Sequence, residues 1–519
     1  MFYHSLLSHL DTPYEQPQCD VREVLRKTPP GRRPDVLLRT IQEAVARTLG
    51  FSQPSDIDVT RPLPEIGIDS LTAILIRNQL AGLLGLVLSA NIALIHPSLE
   101  ALSRALLPKL LDQPGAPCTA SGPDETATSV GHVPGLNMAA IRKGCLDPSF
   151  TFDNVAPTPT CPQVALVTGG TGFVGAFLVH ELLEQGIVTI CLVRAKSAEH
   201  ARERIVNRLQ DYGLWRPAYE KLFHPAVGDV SQLRLGVGDE AFTNLVSQVD
   251  AVYHASGLVD WLLPLRDYMG PSIISTHEVL RLAATGKSKA IHFISTFATL
   301  SRYLGYEVPE DEFKHGYSTS KWLAEQMVGA ARWRGAQASI YRLPFITASA
   351  ISGHFRLDRG DFLHNLITGS IELGSLPALD GDLSIVLPVD YVSKTIVSMS
   401  TDHVARIGQD FDFMNSHAPS FKDYFQLISN TRAARQMLPF PIWREQALAY
   451  AAAHSTSSLA RIAALLDGTT TAEGAAAMFK PLLPPSRKNV LGSDEFPAPV
   501  VNEQSVGKYL GCIYASQGK

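Results

Sequence analysis

Long apolar runs are missing from this chain of 519 residues, and with them any window able to cross a bilayer as a helix. The N-terminal stretch MFYHSLLSHLDTPYEQ lacks the basic start and sustained apolar core of a secretory signal, so a cytoplasmic location with no membrane partner is expected. A dominant charge is missing too. The 45 Lys and Arg stand against 50 Asp and Glu, a net charge of −5, and no basic run could follow a phosphate backbone, so no nucleic acid partner is expected. Cysteine is scarce. The six (Cys19, Cys118, Cys145, Cys161, Cys191, Cys512) form no C-x-x-C pair and have no histidines at ligand spacing, which predicts reduced bystanders and no metal. The length exceeds one ordinary core and predicts two or three domains.

What is present falls into four stretches. Residues 1–33 are polar and Pro-containing, an N-terminal extension without assigned structure. Over 34–111, three amphipathic helices predict a small all-α bundle. The first follows an Asp35 cap and carries Leu37, Ile41, Val45 and Leu49 on one face, with Gly50 at its end. The second opens at Gly67-Ile68-Asp69-Ser70-Leu71 and carries Ile76 and Leu80; the third follows Ser98 with Leu99, Leu102, Leu106 and Leu110. Residues 112–160 read as a flexible linker, because Gln113–Val133 is rich in Pro, Gly, Ser and Thr and too poor in large apolar residues to bury a core.

From residue 161 the pattern alternates strand and helix, predicting a Rossmann-like doubly wound parallel sheet over about 161–343 and a mainly helical substrate lobe over 344–519. Strands are expected at Val164–Thr168, Val188–Val193, Ala226–Val230, Asp250–Ala255, Ala290–Ser295 and Ala338–Arg342. In the lobe, helices are expected over Asp361–Leu373, Tyr391–Thr401, Trp443–Leu466 and Val506–Ile513. After the first strand the run breaks into Gly169-Gly170-Thr171-Gly172-Phe173-Val174-Gly175 and then a helix. Glycines at 169, 172 and 175 let the backbone turn and approach a pyrophosphate at the helix N-terminus, where free N–H groups and the dipole favour negative charge. Gly169, Thr171, Gly172, Phe173, Val174 and Gly175 are therefore candidate cofactor contacts. Arg194 ends the second strand, where a guanidinium suits the 2′-phosphate of NADPH. Arg204 is either a second phosphate contact or a solvated arginine, and Asp229 either an adenine contact or a loop carboxylate.

Of the 15 tyrosines, only Tyr317 has a lysine four places on. One helical turn puts Tyr317 and Lys321 on the same face, so the ammonium can lower the phenol's pKa and hold the nicotinamide ribose. Thr296 stands at the C-terminal end of a strand, on the edge where α/β ligand sites lie, and is the candidate donor to a substrate oxygen, with Ser295 as the alternative. Thr296, Tyr317 and Lys321 are the candidate catalytic set.

Two resemblances narrow the reading. The stretch Gly67–Leu71 with Ile76-Arg77-Asn78-Gln79-Leu80 resembles the acyl carrier domain of polyketide synthases, which implies a 4′-phosphopantetheine arm on Ser70, installed by a phosphopantetheinyl transferase. The glycine turn resembles that of the extended short-chain dehydrogenase/reductase family. With Cys191–Ala195, Asp211–Trp215, Val279–Gly286, Gly316–Trp322 with Glu325, and Leu387–Val392, the region from Val164 to the chain end resembles thioester reductase domains. Such domains release products of polyketide synthases, nonribosomal peptide synthetases, aminoadipate reductases and carboxylic acid reductases. Two departures from that pattern stand at His254–Trp261, where Asn-Gly-Ala before Asn-Trp is expected, and at Arg342-Leu343-Pro344, where Arg-Pro-Gly is expected.

Together these imply NADPH-dependent reductive release of a carrier-bound acyl thioester as an aldehyde, or onward to an alcohol. No adenylation or ketosynthase segment is seen, which implies an acyl group supplied by a polyketide synthase or related synthase. The alternatives are release by cyclisation without reduction, a nucleotide-sugar-type extended dehydrogenase, and a non-catalytic acyl-carrying scaffold.

Overall fold

The computed structural model describes residues 24–25, 28–49, 53–54, 57–61, 76, 80, 83–84, 98–111, 138, 141, 146–152, 161–260, 263–300, 316–355, 362–381, 383–402, 406–432, 436–467, 471, 490–491 and 496–516. Two compact units are present, one around residues 24–111 and one around residues 138–516.

In the first unit, α1 (Arg33–Leu49) and α2 (Leu99–Leu111) frame a core of their own. Leu37, Ile41 and Val45 of α1 and Leu99, Leu102, Leu106 and Leu110 of α2 are buried together with Ile76 and Leu80. This is the three-stripe pattern that the periodicity predicts. Ser98 caps α2 by accepting from the Ala101 amide at 3.3 Å. The bundle begins earlier than the 34–111 expectation. Asp35 lies inside the first turn of α1, a 3₁₀ turn at Pro30–Arg32 precedes it, and Leu25 is fully buried in the same core. Ser70, expected to carry the phosphopantetheine, lies outside the described residues.

The second unit runs β1 (Val164–Thr168), α3 (Phe173–Glu184), β2 (Val188–Val193), α4 (Ala198–Asp211), β3 (Phe223–Val227), α5 (Asp239–Gln248), β4 (Ala251–His254), α6 (Ser275–Ala283), β5 (Ala290–Thr296), α7 (Gly316–Trp333) and β6 (Ala338–Leu343). It continues through β7 (Phe345–Thr347), α8 (Phe362–Leu373), β8 (Ser375–Ala378), β9 (Val386–Pro388), α9 (Val389–Thr401), β10 (Asp410–Phe413) and α10 (Phe421–Arg432). Last come β11 (Gln436–Pro439), α11 (Phe440–Ala453), α12 (Ser458–Asp467), β12 (Val490–Leu491) and α13 (Glu503–Ser516). Eight strands form one parallel sheet in the order β12-β10-β6-β5-β4-β1-β2-β3. Strand order reverses between β1 and β4, so a crevice opens beyond their C-terminal ends, the place where doubly wound folds bind ligands. Alternate residues of β1 point to opposite faces: Ala165 and Val167 join the core under α3, α4 and α9, while Leu166 joins the core under α5, α6 and α7.

Several expectations need correction. The third strand lies at Phe223–Val227 rather than 226–230. It tolerates Pro225 because β3 is the sheet edge, where a missing N–H costs no ladder bond. Residues beyond 343 do not all build a separate lobe. Helix α9 packs Val392 and Ile396 into the sheet core beside α3, and β10 and β12 rejoin the main sheet. The helix expected across 443–466 is two, because Ser457 caps α12 by accepting from Ala460 N at 3.2 Å. Within the expected linker, Leu146, Phe150 and Phe152 are buried in the core of the second unit. The Arg334 guanidinium donates to the carbonyls of Leu146, Asp147 and Phe150, holding this strap on the unit. Among the described residues no helix is long and apolar enough to cross a membrane.

Candidate active site

The glycine turn after β1 is a cradle with no room for side chains. Gly169 has φ +78°, and a Cβ there would lie 2.7 Å from the Ala255 carbonyl carbon and the Ser256 nitrogen. A Cβ on Gly175 would collide with the Gly169 carbonyl oxygen, and one on Gly172 would approach that oxygen to 3.2 Å. Gly172 caps α3 with no side-chain bond, and the first turn holds no acidic residue, so the leading amides of the helix are left for an anion. Thr171 sits half-buried in the turn. The side chains of Phe173 and Val174 pack into the core, Phe173 against Phe177 and Tyr212, which leaves main-chain amides as what these two can offer. The cradle fits a dinucleotide diphosphate. Gly175→Ala is expected to weaken dinucleotide binding by about tenfold or more. Gly329→Ala, where a Cβ meets nothing within 4 Å, is the comparison, and titration of nucleotide fluorescence measures both.

At the end of β2, Arg194 is exposed, and the Arg204 guanidinium on α4 donates to its main-chain carbonyl. Both guanidinium-bearing residues therefore stand at the same strand end. Asp229 is engaged differently. Its Oδ1 accepts from the Ser231 amide at 2.9 Å and the Ser231 hydroxyl at 2.6 Å, so this carboxylate organises its own turn.

The chain after β4 connects the cradle to α7. His254 is buried, with Nδ1 2.7 Å from Thr168 Oγ1 and Nε2 3.3 Å from Thr276 Oγ1, tying the ends of β1 and β4 to α6. Burial, helped by the Lys321 charge, pushes its imidazole down to about 3, so it is neutral. Beyond it, Ser256 N donates to Thr168 Oγ1 at 3.3 Å, and a Cβ on Gly257 would stand 3.2 Å from Lys321 Nζ.

On α7, Lys321 is buried and its Nζ donates to the Ile294 carbonyl at 2.9 Å, with the Phe293 ring beneath it. Tyr317, one turn earlier, is 9% exposed and packs with Leu263, Tyr268 and Ala298. Thr296 ends β5, half-exposed, and its hydroxyl oxygen accepts from Ala298 N at 3.3 Å, which leaves the hydroxyl proton to donate elsewhere. Alternation along the strand turns the two neighbouring hydroxyls to different surroundings. Ser295 turns inward and donates to Glu325, as does Thr299 at 3.0 Å. Glu325 in turn is gripped by Arg342, whose Nη2 lies 2.6 Å from Oε2. Arg342 also reaches Asp410 at 2.8 Å and Asp412 at 3.3 Å. Arg342, standing where the family pattern places it near the cofactor, is thus spent inside a buried carboxylate network. The structural parts of Glu325 and His254 were missed by motif reading, although Glu325 follows Lys321 by one helical turn on the same face.

A sheet of this order, with a glycine cradle at its switch point and a Tyr-Lys pair beside it, is the architecture of the extended short-chain dehydrogenase/reductase kind. Residues 39–106 match the phosphopantetheine attachment site family, a span that includes Ser70, and residues 167–396 match the male sterility protein family. The PKS-NRPS hybrid synthetase acdB of Aspergillus candidus is 56% identical over 508 residues, 97% of this chain and 20% of that synthetase. The L-2-aminoadipate reductase of Saccharomyces cerevisiae is 30% identical over 276 residues, 48% of this chain and 20% of that enzyme. Among solved structures, the terminal R domain from the myxalamid PKS-NRPS biosynthetic pathway matches with a TM-score of 0.63 at 27% identity, covering 73% of this chain and 98% of that domain. The chain thus comprises an acyl carrier domain joined to a thioester reductase domain, and it spans a fifth of the length of these two curated relatives.

Proposed function

We propose that the chain releases an acyl group, of polyketide or mixed polyketide-peptide origin, from a phosphopantetheine thiol as an aldehyde. A second reduction would yield the alcohol. The observation that carries this reading is the position of Lys321, buried between the Ile294 carbonyl and Gly257, one turn from Tyr317 and beside the strand end bearing Thr296. Ser70 is the proposed attachment point of the arm. Gly169, Gly172 and Gly175 would receive the cofactor diphosphate, with the amides of Thr171, Phe173 and Val174 beside them, and Lys321 the nicotinamide ribose. Arg194 and Arg204 would receive the 2′-phosphate, which selects NADPH, while Asp229 stands beside the adenine end. Bound NADPH would supply hydride, so that thioester, NADPH and one proton become aldehyde, free carrier thiol and NADP⁺. Thr296 and Tyr317 would donate to the thioester oxygen as negative charge develops on it, and Tyr317 would deliver the proton. The Lys321 charge stabilises the phenolate left behind.

The test loads Ser70 enzymatically with octanoyl-phosphopantetheine, follows NADPH oxidation and traps the product, with Ser70→Ala alongside. Aldehyde or alcohol from the loaded protein only is the expected result; a cyclised or hydrolysed product without NADPH oxidation would overturn it. Arg194→Ala is expected to raise KM for NADPH by about tenfold or more, the worth of a charge-assisted bond, with a far smaller change for NADH.

A further inference from the structure

The segment between β4 and α6 forms a bed under the catalytic helix. A 3₁₀ turn at Leu265–Tyr268 runs into a π-helical turn at Met269–Ile274, a geometry that recurs at functional sites. Tyr268 is fully buried, and its ring centroid lies 6.2 Å from that of Tyr317 at an interplanar angle of 52°. Gly316, directly before Tyr317, lies so close to this bed that a Cβ would stand 2.6 Å from the Pro264 carbonyl carbon. Ser320 Oγ reaches Ser272 Oγ at 3.4 Å. The first turn of α7 is therefore seated on residues 263–272.

The other end of Tyr268 meets the loop that follows β4. Its hydroxyl donates to the carbonyl of Asp260. Asp260 belongs to the loop that leaves β4 against Gly169 and passes Lys321 Nζ at Gly257. Burial, with the Asp260 charge adding to it, pushes the Tyr268 phenol up, so its proton is retained and held for the bond to Asp260. One buried side chain thus touches both the ring of Tyr317 and the backbone of the loop running from the cradle to Lys321.

We propose that Tyr268 is a positioning residue for the reduction: its ring sets the Tyr317 phenol and its hydroxyl sets the loop Ala255–Asp260 against the nicotinamide side of the cofactor. This rests on the reading of Tyr317 as proton donor.

Two variants of the full chain separate the two contacts. Tyr268→Phe keeps the ring and removes the bond to Asp260; it is expected to raise the Kd for NADPH by about tenfold, the worth of one hydrogen bond, and to lower kcat less than Tyr268→Leu does. Tyr268→Leu removes both contacts and is expected to lower kcat for octanoyl-pantetheine by a further tenfold or so, because a displaced donor loses alignment. NADPH binding is read by fluorescence titration without substrate, kcat with octanoyl-pantetheine, and melting temperature on each protein. Parent-like Kd in Tyr268→Phe, or a fall in melting temperature with Kd and kcat of the folded protein unmoved, overturns the inference. Tyr317→Phe serves as the reference. If it is inactive while both Tyr268 variants behave as the parent, this inference alone fails; if it turns over at the parent rate, the proton-donor reading fails and takes this one with it.

Discussion

Tyr317→Phe is expected to lower kcat for NADPH-dependent reduction of a carrier-bound thioester by about 10²–10⁴-fold, the range over which a positioned proton donor acts. The substitution removes one hydroxyl and keeps the ring, so the packing with Leu263, Tyr268 and Ala298 is retained and the loss reports chemistry rather than folding. Steady-state kinetics with the loaded carrier, beside a melting curve, make the measurement; turnover within a few-fold of the parent would remove Tyr317 from the mechanism. The pH profile adds a second signature. Burial pushes the Lys321 amine down to about 8, with the Glu325 charge working in the opposite direction. Its positive charge is thus lost as pH rises through about 8, and kcat/KM, which reports the free enzyme, is expected to fall along that limb. Stability moves the other way. The unfolded lysine keeps its proton up to roughly 10.4, so between about 8 and 10.4 the unfolded state binds more protons and the native state gains stability with rising pH from this group. A decline in rate above pH 8 without a matching decline in melting temperature distinguishes the site from the fold.

Arg342→Met is expected to destabilise the reductase unit by about 3–5 kcal/mol, because it leaves buried carboxylates without their counter-charge. Arg342 is 1% exposed, and Glu325 and Asp412 are as deeply buried. Burial alone would raise the Asp410 carboxyl, yet Arg342 and then Arg332 hold it below the ordinary carboxylate value. One planar fork thus meets three carboxylates from α7 and β10. Arg342→Lys supplies the charge without the fork and is expected to recover only part of the loss. Arg332, less buried and paired with Asp410 at 2.9 Å, should cost far less on removal to Ala. Denaturant unfolding measures all three, and a loss below about 1 kcal/mol for Arg342→Met would show that the network adds little. Activity should fall with stability here, since Ser295 and Thr299, which flank Thr296, both donate to the Glu325 that Arg342 holds.

Much of the architecture was legible along the chain. The first two strands stand at Val164–Thr168 and Val188–Val193 as the apolar runs predict, and β5 and β6 differ from expectation by one residue each. Buried parallel strands announce themselves as continuous apolar runs, and bundle helices as stripes every three or four residues. Shorter pieces carried no such signal. β10 has four residues and β12 two, and they join the sheet only because β6 offers an open edge across a distant part of the chain. Likewise Leu146–Phe152 reads as linker until Arg334 and the face of α6 and α7 give it somewhere to bury Phe150.

The sequence by itself determined the residues whose relation is local: the glycines at steps of three in one turn, Tyr317 and Lys321 one helical turn apart, and the paired hydroxyls of Ser295 and Thr296 at a strand end. Covalent connectivity and the helix period set those spacings before any tertiary contact forms. Only the tertiary structure decided which of the two hydroxyls faces outward, that Arg342 serves Glu325, Asp410 and Asp412, and that Tyr268 lies between the loop at Asp260 and the ring of Tyr317. Most of those relations join residues well separated along the chain, and they exist because the fold brings the ends of separate strands and the helix α7 to one edge of the sheet.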